Sequence, residues 1–319
     1  MLNAIKNFPA QFAYQPKIEN KKYYHPAEKY LVLGMGGSHL AADILRSAQA
    51  QLTISIHQNY GLPKISDQEL KKYLVIASSY SGNTAEVLDG FKKAVNKKLN
   101  VVAIATGGRL LALAKKYHRP FIQLPKTGIQ PRQALGLSLR AMLKIMRQNK
   151  LLNDTRAVQQ LKAKNYQSAG QKLAKLLKNH IPIIYSSTDN TSLVYNWKIK
   201  FNENSKIPAF YNTLPELNHN EMNGFDTTEK TRPLINKFAF IFLSDDDDSP
   251  VIKKRFQVLA RLYKKRGLMV NIVKLRGKNI WQKIFANLIL ADWASYYTAL
   301  NYHQDPTAVP MVENFKKLL

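Results

Sequence analysis

The chain contains no cysteine, and this one absence removes a disulfide framework, a thiolate metal site and cysteine nucleophile chemistry together. Long apolar runs are also missing. None approaches the ~18 residues that a membrane span requires, and the opening segment Met1 to Pro9 lacks the apolar core of a secretory signal. The expectation is a cytoplasmic protein with no membrane partner. Acidic residues are scarce: 21 Asp and Glu stand against 48 Lys and Arg, a formal net charge of +27. Two readings of that charge compete. One is a surface for nucleic acid or anionic lipid. The other is a solvated basic surface that also attracts small anionic substrates. The cations fall in short scattered clusters such as Lys92-Lys93, Lys253-Lys254-Arg255 and Lys264-Lys265-Arg266. No recognition motif accompanies them, so no specific nucleic-acid partner is expected.

What is present is enough apolar material for two cores. The 319 residues exceed what one core usually organises, and the hydrophobic share is 45%. Apolar runs alternate with helical patterns, the signature of βαβ units and parallel sheets. In the first half, strands are predicted at Tyr30–Leu33, Leu52–His57, Tyr73–Ser78, Val101–Thr106 and Phe121–Leu124, with a helix from about Arg132 to Arg147. A long polar helical region, Asp154 to Asn179, reads as the join. The second half repeats the pattern: strands at Ile181–Tyr185, Lys237–Leu243 and Met269–Leu275, and helices near 193–202, 251–266 and 280–300. The expected fold class is α/β, with two subdomains at 1–152 and 153–319, each a mainly parallel sheet flanked by helices.

Three polar constellations carry the chemistry. Gly34-Met35-Gly36-Gly37-Ser38 follows a strand and opens a helix, so its backbone N–H groups can approach an anion. Its spacing is not the dinucleotide fingerprint, because His39 occupies the third glycine position. Ser79-Tyr80-Ser81-Gly82-Asn83-Thr84 is sharper. It sets three hydroxyls and a glycine in a strand-to-helix turn with no P-loop lysine, which suits a phosphate monoester better than a nucleoside triphosphate. Simple N-capping is the competing explanation, although one cap needs one hydroxyl. The third constellation runs Asn202-Glu203-Asn204-Ser205-Lys206 and then Pro215 to Glu221. Glu203 can act as a base and His219 as a proton shuttle. Equally, Glu203 could be a surface carboxylate paired with Lys206, and His219 a loop histidine bonded to backbone. Glu216, His219 and Glu221 lack the spacing of a zinc site, and neither a metal nor a cofactor is expected. The acidic run Asp245 to Asp248 reads as a solvated loop at a helix start.

In order along the chain, Gly34 to Ser38 with Asp43, Ser79 to Thr84 with Glu86, Gly107 to Leu110, Pro131 to Gly136, Asn202 to Lys206, Pro215 to Glu221 and Asp305 to Lys316 form a highly specific set. With these motifs the sequence resembles the bifunctional phosphoglucose/phosphomannose isomerases, a family built from two sugar isomerase (SIS) domains. The resemblance implies an aldose–ketose isomerase acting on glucose 6-phosphate and mannose 6-phosphate. It implies that Gly37, Ser38, Ser79, Ser81 and Thr84 hold the substrate phosphate. It assigns Glu203 as the base, Arg132 as the group stabilising the enediolate, and Lys316 as a lysine near the ring oxygen. His219 would assist ring opening from the partner subunit of a homodimer. The bulk of His39 departs from the family pattern and would adjust the phosphate approach. The alternative from another class is a non-catalytic SIS-type sugar-phosphate sensor.

Overall fold

The computed structural model describes residues 1–318. The chain divides into two compact units: Asn7–Leu161, and Met1–Lys6 together with Lys162–Leu319. Helix α1 (Leu2–Lys6) belongs to the latter.

The first unit holds β1 (Lys29–Leu33), α2 (Leu40–Ala48), β2 (Thr53–His57), α3 (Asp67–Leu70), β3 (Tyr73–Ser78), α4 (Ala85–Asn96), β4 (Val101–Ala105), α5 (Gly108–Lys116), β5 (Phe121–Gln123), α6 (Leu135–Ile145) and α7 (Asn149–Asp154). Its five strands are all parallel in the order β2-β1-β3-β4-β5. The central strands β1, β3 and β4 read KYLVL, YLVIAS and VVAIA and are buried almost throughout. Such unbroken apolar runs are what a parallel sheet covered on both faces requires. Leu31, Leu33, Val75, Ala77 and Ala103 pack against Val87, Phe91, Leu110 and Ala114 of α4 and α5.

The second unit holds α8 (Gln167–Leu176), β6 (Ile181–Ser187), α9 (Thr191–Lys200), β7 (Phe210–Leu214), α10 (Arg232–Ile235), β8 (Phe238–Asp245), α11 (Pro250–Lys265), β9 (Met269–Leu275), α12 (Ile280–Asn301) and α13 (Pro310–Leu318). Its four strands are parallel in the order β7-β6-β8-β9. An aromatic core of Tyr185, Phe225, Phe240, Phe242, Phe256 and Tyr263 fills one side of the sheet. The protein is therefore α/β with two parallel sheets flanked by helices. Among the described residues no helix is long and apolar enough to cross a membrane.

Four expectations change. The region 154–179 is not one helix: 3-10 turns at Thr155–Gln160 and Ala163–Tyr166 precede α8. The cause is local. Buried Arg140 donates to the Leu152 carbonyl at 2.8 Å and to Thr155 Oγ1 at 2.7 Å, while Thr155 Oγ1 itself donates to Leu152 O. That carbonyl is drawn out of a helical ladder. The same bonds tie this segment to the first unit, so the division falls at Leu161/Lys162 rather than at 152/153. Strand β7 was not anticipated, because it is a half-exposed edge whose apolar pattern is interrupted by Asn212 and Thr213. Finally, Asp245 to Asp248 is only partly a solvated loop: Asp246 and Asp247 are exposed, but Asp245 and Asp248 are buried, and Lys283 Nζ lies 2.8 Å from Asp245 Oδ2 and 2.6 Å from Asp247 Oδ2.

Candidate functional site

In an open parallel sheet, ligands bind where neighbouring strands send their helices in opposite directions. In the first unit β1 leads through α2 to β2, while β3 leads through α4 to β4 on the other side. The switch point thus lies between the carboxyl ends of β1 and β3, where the sequence places Gly34–Ser38 and Ser79–Thr84.

These turns are interlocked. Ser38 Oγ accepts from the Tyr80 amide at 2.9 Å, and Ser78 Oγ donates to the Ser38 carbonyl at 2.8 Å. Gly37 lies against the 3-10 turn Pro131–Gln133: a Cβ at this position would come within 2.7 Å of the Arg132 amide nitrogen. Gly82 has φ of 74°, and a Cβ there would fall 1.9 Å from the Gly107 carbonyl oxygen. Only glycine satisfies both the left-handed backbone and the close approach. The structure therefore gathers Gly37, Ser38, Ser79, Ser81, Thr84 and Arg132, residues separated widely in sequence, at one end of one sheet. Arg132 is 1% exposed.

The three hydroxyls of the second turn are not equivalent. Ser79 is fully buried; its Oγ accepts from the Gly82 amide at 3.1 Å and the Thr84 amide at 3.4 Å, and it pairs with Thr84 Oγ1 at 2.8 Å. A serine hydroxyl has one proton and two acceptor positions, so those contacts use all three and the proton of Ser79 points to Thr84. Ser79 thus braces the turn from within. Thr84 caps nothing with its side chain, and as acceptor from Ser79 it keeps its own proton to donate. Ser81 is exposed and Thr84 half-buried, and the Ser81 Oγ accepts from the Asn83 amide at 3.3 Å, which leaves its proton free to donate. His39 packs back against Gly34, where an added Cβ would meet the His39 Cβ at 3.2 Å. It is buried, with Nδ1 2.5 Å from Asp43 Oδ2 and Nε2 2.7 Å from the Gln58 side-chain nitrogen. Because an amide nitrogen only donates, Nε2 accepts and the ring proton sits on Nδ1, facing Asp43.

The second sheet reverses direction between β6 and β8, yet its switch point has opposite chemistry. Asn190 Nδ2 donates to Ser187 Oγ and to Asp245 Oδ2, each at 3.1 Å, and Lys283 closes the cluster. Buried Asp248 adds a further carboxyl, which burial pushes above its ordinary pKa. Carboxylates there disfavour a phosphate dianion.

Glu203 lies in a π-helical turn, Phe201–Ser205, that extends α9. The turn buries Phe201, Asn204 and Ser205 and leaves Glu203 half-buried. Lys206 Nζ donates to the Asn204 carbonyl at 3.3 Å and to the carbonyl of Asp305. His219 is exposed in the loop after β7, and Lys316 is exposed on α13. Neither side chain makes a hydrogen bond or ion pair among the described residues. The His219 loop is anchored beside it by Glu221, which accepts from Tyr185 Oη at 2.5 Å and from Asn212 Nδ2. Burial holds the Tyr185 phenol well above its ordinary pKa, so it remains a donor. Among the described residues no group of three or more His, Asp or Glu side chains is placed to hold a metal ion.

Comparison with known proteins follows this geometry. Residues 166–319, nearly the whole of the second unit, match the family model for the bacterial phospho-glucose isomerase C-terminal SIS domain. A bifunctional phosphoglucose/phosphomannose isomerase of Caldicellulosiruptor bescii is 31% identical, with 100% of this chain and 98% of that protein covered. The chain belongs to this family. The enzyme of the same name from Aquifex aeolicus is 29% identical across 99% of this chain and 97% of that protein. A crystal structure of a hypothetical protein from Thermus thermophilus shares the fold, with a TM-score of 0.73 at 14% identity, covering 99% of this chain and 86% of that one.

In this phosphoglucose/phosphomannose isomerase family member, sequence reasoning overlooked the polar side chains behind Glu203: Lys200, Asp292 and Ser295. A signal existed. Asp292 interrupts the apolar run of α12, and a charge in a buried helix implies a partner.

Proposed function

We propose that the protein interconverts fructose 6-phosphate with glucose 6-phosphate and mannose 6-phosphate by proton transfer through a cis-enediolate. The observation that carries this reading is the brace of the Ser79–Thr84 turn, which leaves Ser81 and Thr84 with hydroxyl protons to donate at the switch point of the first sheet, where Ser38 meets Tyr80 and Gly37 meets the Arg132 backbone. Family membership supports the same reading.

The substrate phosphate accepts hydrogen bonds from Ser38, Ser81 and Thr84 and from backbone N–H groups of the glycine turn. His219, supplied by the partner subunit of a homodimer, moves a proton in opening the sugar ring, with Lys316 near the ring oxygen. The Glu203 carboxylate then takes the C2 proton of the open aldose. The electrons left at C2 form the C1–C2 double bond of the enediolate, whose negative oxygen faces the Arg132 guanidinium. The C2 hydroxyl proton passes to the C1 oxygen as protonated Glu203 returns its proton to C1, giving the ketose and restoring the carboxylate. Rotation about C2–C3 in the bound open chain presents either face of C2, so one base serves both aldose epimers.

The test is steady-state kinetics with both aldose phosphates. Glu203→Gln is expected to lower kcat by about 10²–10⁴-fold, the usual contribution of a positioned base, with little change in KM. Full activity in Glu203→Gln refutes the assignment. Thermal stabilisation of the wild type by fructose 6-phosphate without any turnover identifies a sensor instead.

A further inference from the structure

We propose that Asn204 and Ser295 are positioning residues that set the direction of the Glu203 carboxylate. The proposal rests on the reading of Glu203 as the base. It starts from an irregularity: α9 ends at Lys200, and the chain continues as a π turn through Phe201–Ser205 before Lys206 reverses it with φ of 56°. A π turn inserts one extra residue into the helix. At 3.6 residues per turn, that rotates the inserted side chains by about 100° relative to an unbroken helix. The direction of Glu203 is therefore a property of the turn, and it changes if the turn relaxes to α-helical register.

The turn is held by polar bonds on both sides of Glu203. Before it, Lys200 Nζ lies 2.6 Å from Asp292 Oδ1, with both side chains almost fully buried. After it, Asn204 Nδ2 donates to Ser295 Oγ at 2.9 Å, and Ser205 Oγ donates to the Ser295 carbonyl at 2.7 Å. Ser295 Oγ in turn donates to the Asp292 carbonyl at 3.2 Å, so both anchor points sit on one turn of α12. Asn202 Nδ2 reaches forward to the Ile207 carbonyl at 3.0 Å.

Stability alone does not account for this arrangement, since a buried ion pair is often no more stabilising than apolar residues of the same volume. Register does. If the π turn slipped by one residue, Lys200 and Asn204 would turn away from Asp292 and Ser295 and leave buried polar groups without these partners. The polar bonds penalise every register but the one that presents Glu203, while Phe201, Asn204 and Ser205 face inward.

The experiment uses the full-length protein and glucose 6-phosphate carrying hydrogen or deuterium at C2. Ser295→Ala and Asn204→Ala remove the same hydrogen bond from opposite ends. Each is expected to lower kcat by about ten- to a hundredfold, the scale of a small misplacement of a catalytic group. KM should stay within about twofold, because substrate binding is not what is lost. The deuterium isotope effect on kcat should rise as proton abstraction becomes slower, and the double variant should be no worse than either single one. The isotope effect is read from folded enzyme alone, so partial misfolding does not imitate it. A wild-type kcat in both variants overturns the proposal, as does a fall in kcat with an unchanged isotope effect. If Glu203→Gln retains full activity, the base reading itself fails. If Glu203→Gln is inactive while Ser295→Ala matches wild type, only the positioning role is lost.

Discussion

The Lys200–Asp292 pair offers a sharp test of the packing behind Glu203. The two side chains are 1% and 2% exposed and their charged atoms are 2.6 Å apart. Around them lie Trp197, bonded to Asn287 Oδ1 at 2.7 Å, and the apolar face of α12. Lys200→Met keeps the length and much of the volume of the side chain and deletes the ammonium. The Asp292 carboxylate then loses its counter-charge where water cannot replace it, and breaking a buried pair in this way costs about 3–5 kcal/mol. For a unit of this size each kcal/mol lowers Tm by about 2–4 °C. The expected shift is thus about 6–20 °C, measured by calorimetry without sugar phosphate so that ligand binding does not mask it. Replacing both partners, as in Lys200→Met with Asp292→Leu, removes the stranded charge and should recover at least half of the loss. A single-variant shift below about 3 °C, under the range that the broken-pair cost implies, or a double variant as unstable as the single one, refutes the reasoning.

Two further predictions concern charge. Asp248 is 6% exposed, its Oδ2 has no hydrogen-bond partner among the described residues, and burial raises its pKa. A folded-state pKa above the unfolded value means that the ionised group costs stability at neutral pH, a cost that vanishes as pH falls below about 4. Asp248→Asn should therefore raise Tm at pH 7 and confer no advantage at pH 3; an equal gain at both contradicts the account. The second concerns the net charge of +27 and the absence of any Asp or Glu between Asp248 and Asp292. A positive field of this kind speeds capture of a dianionic substrate, and its range shrinks from about 30 Å at 0.01 M salt to about 8 Å at 0.15 M. Hence kcat/KM for glucose 6-phosphate should fall as ionic strength rises, and a flat response removes the steering idea.

Both sheets were legible in the sequence because their evidence is local. Runs such as YLVIAS and VVAIA are buried on both faces, and that burial writes itself into consecutive residues. The turn Ser79–Thr84 was legible for the same reason: a strand end, three hydroxyls, a glycine and a helix start lie within a few positions. Strand β7 and the broken region after Asp154 were not, since one is a mixed-polarity edge and the other depends on Arg140 reaching across to Leu152 and Thr155.

By itself, then, the sequence determined the α/β class, the parallel strands and the place of the hydroxyl-rich turn Ser79–Thr84, all consequences of short-range periodicity and turn chemistry. The division of labour among the hydroxyls was a tertiary matter, because only the folded turn shows Ser79 using its full bonding capacity on Gly82 and Thr84. So were the pairing of Asp245 with Lys283 and the clamp of Lys200 and Asn204 onto α12. Those partners lie far apart in the chain, and no local pattern records which buried charge meets which. Their meeting is decided when the helices pack and every buried polar group has to find a partner.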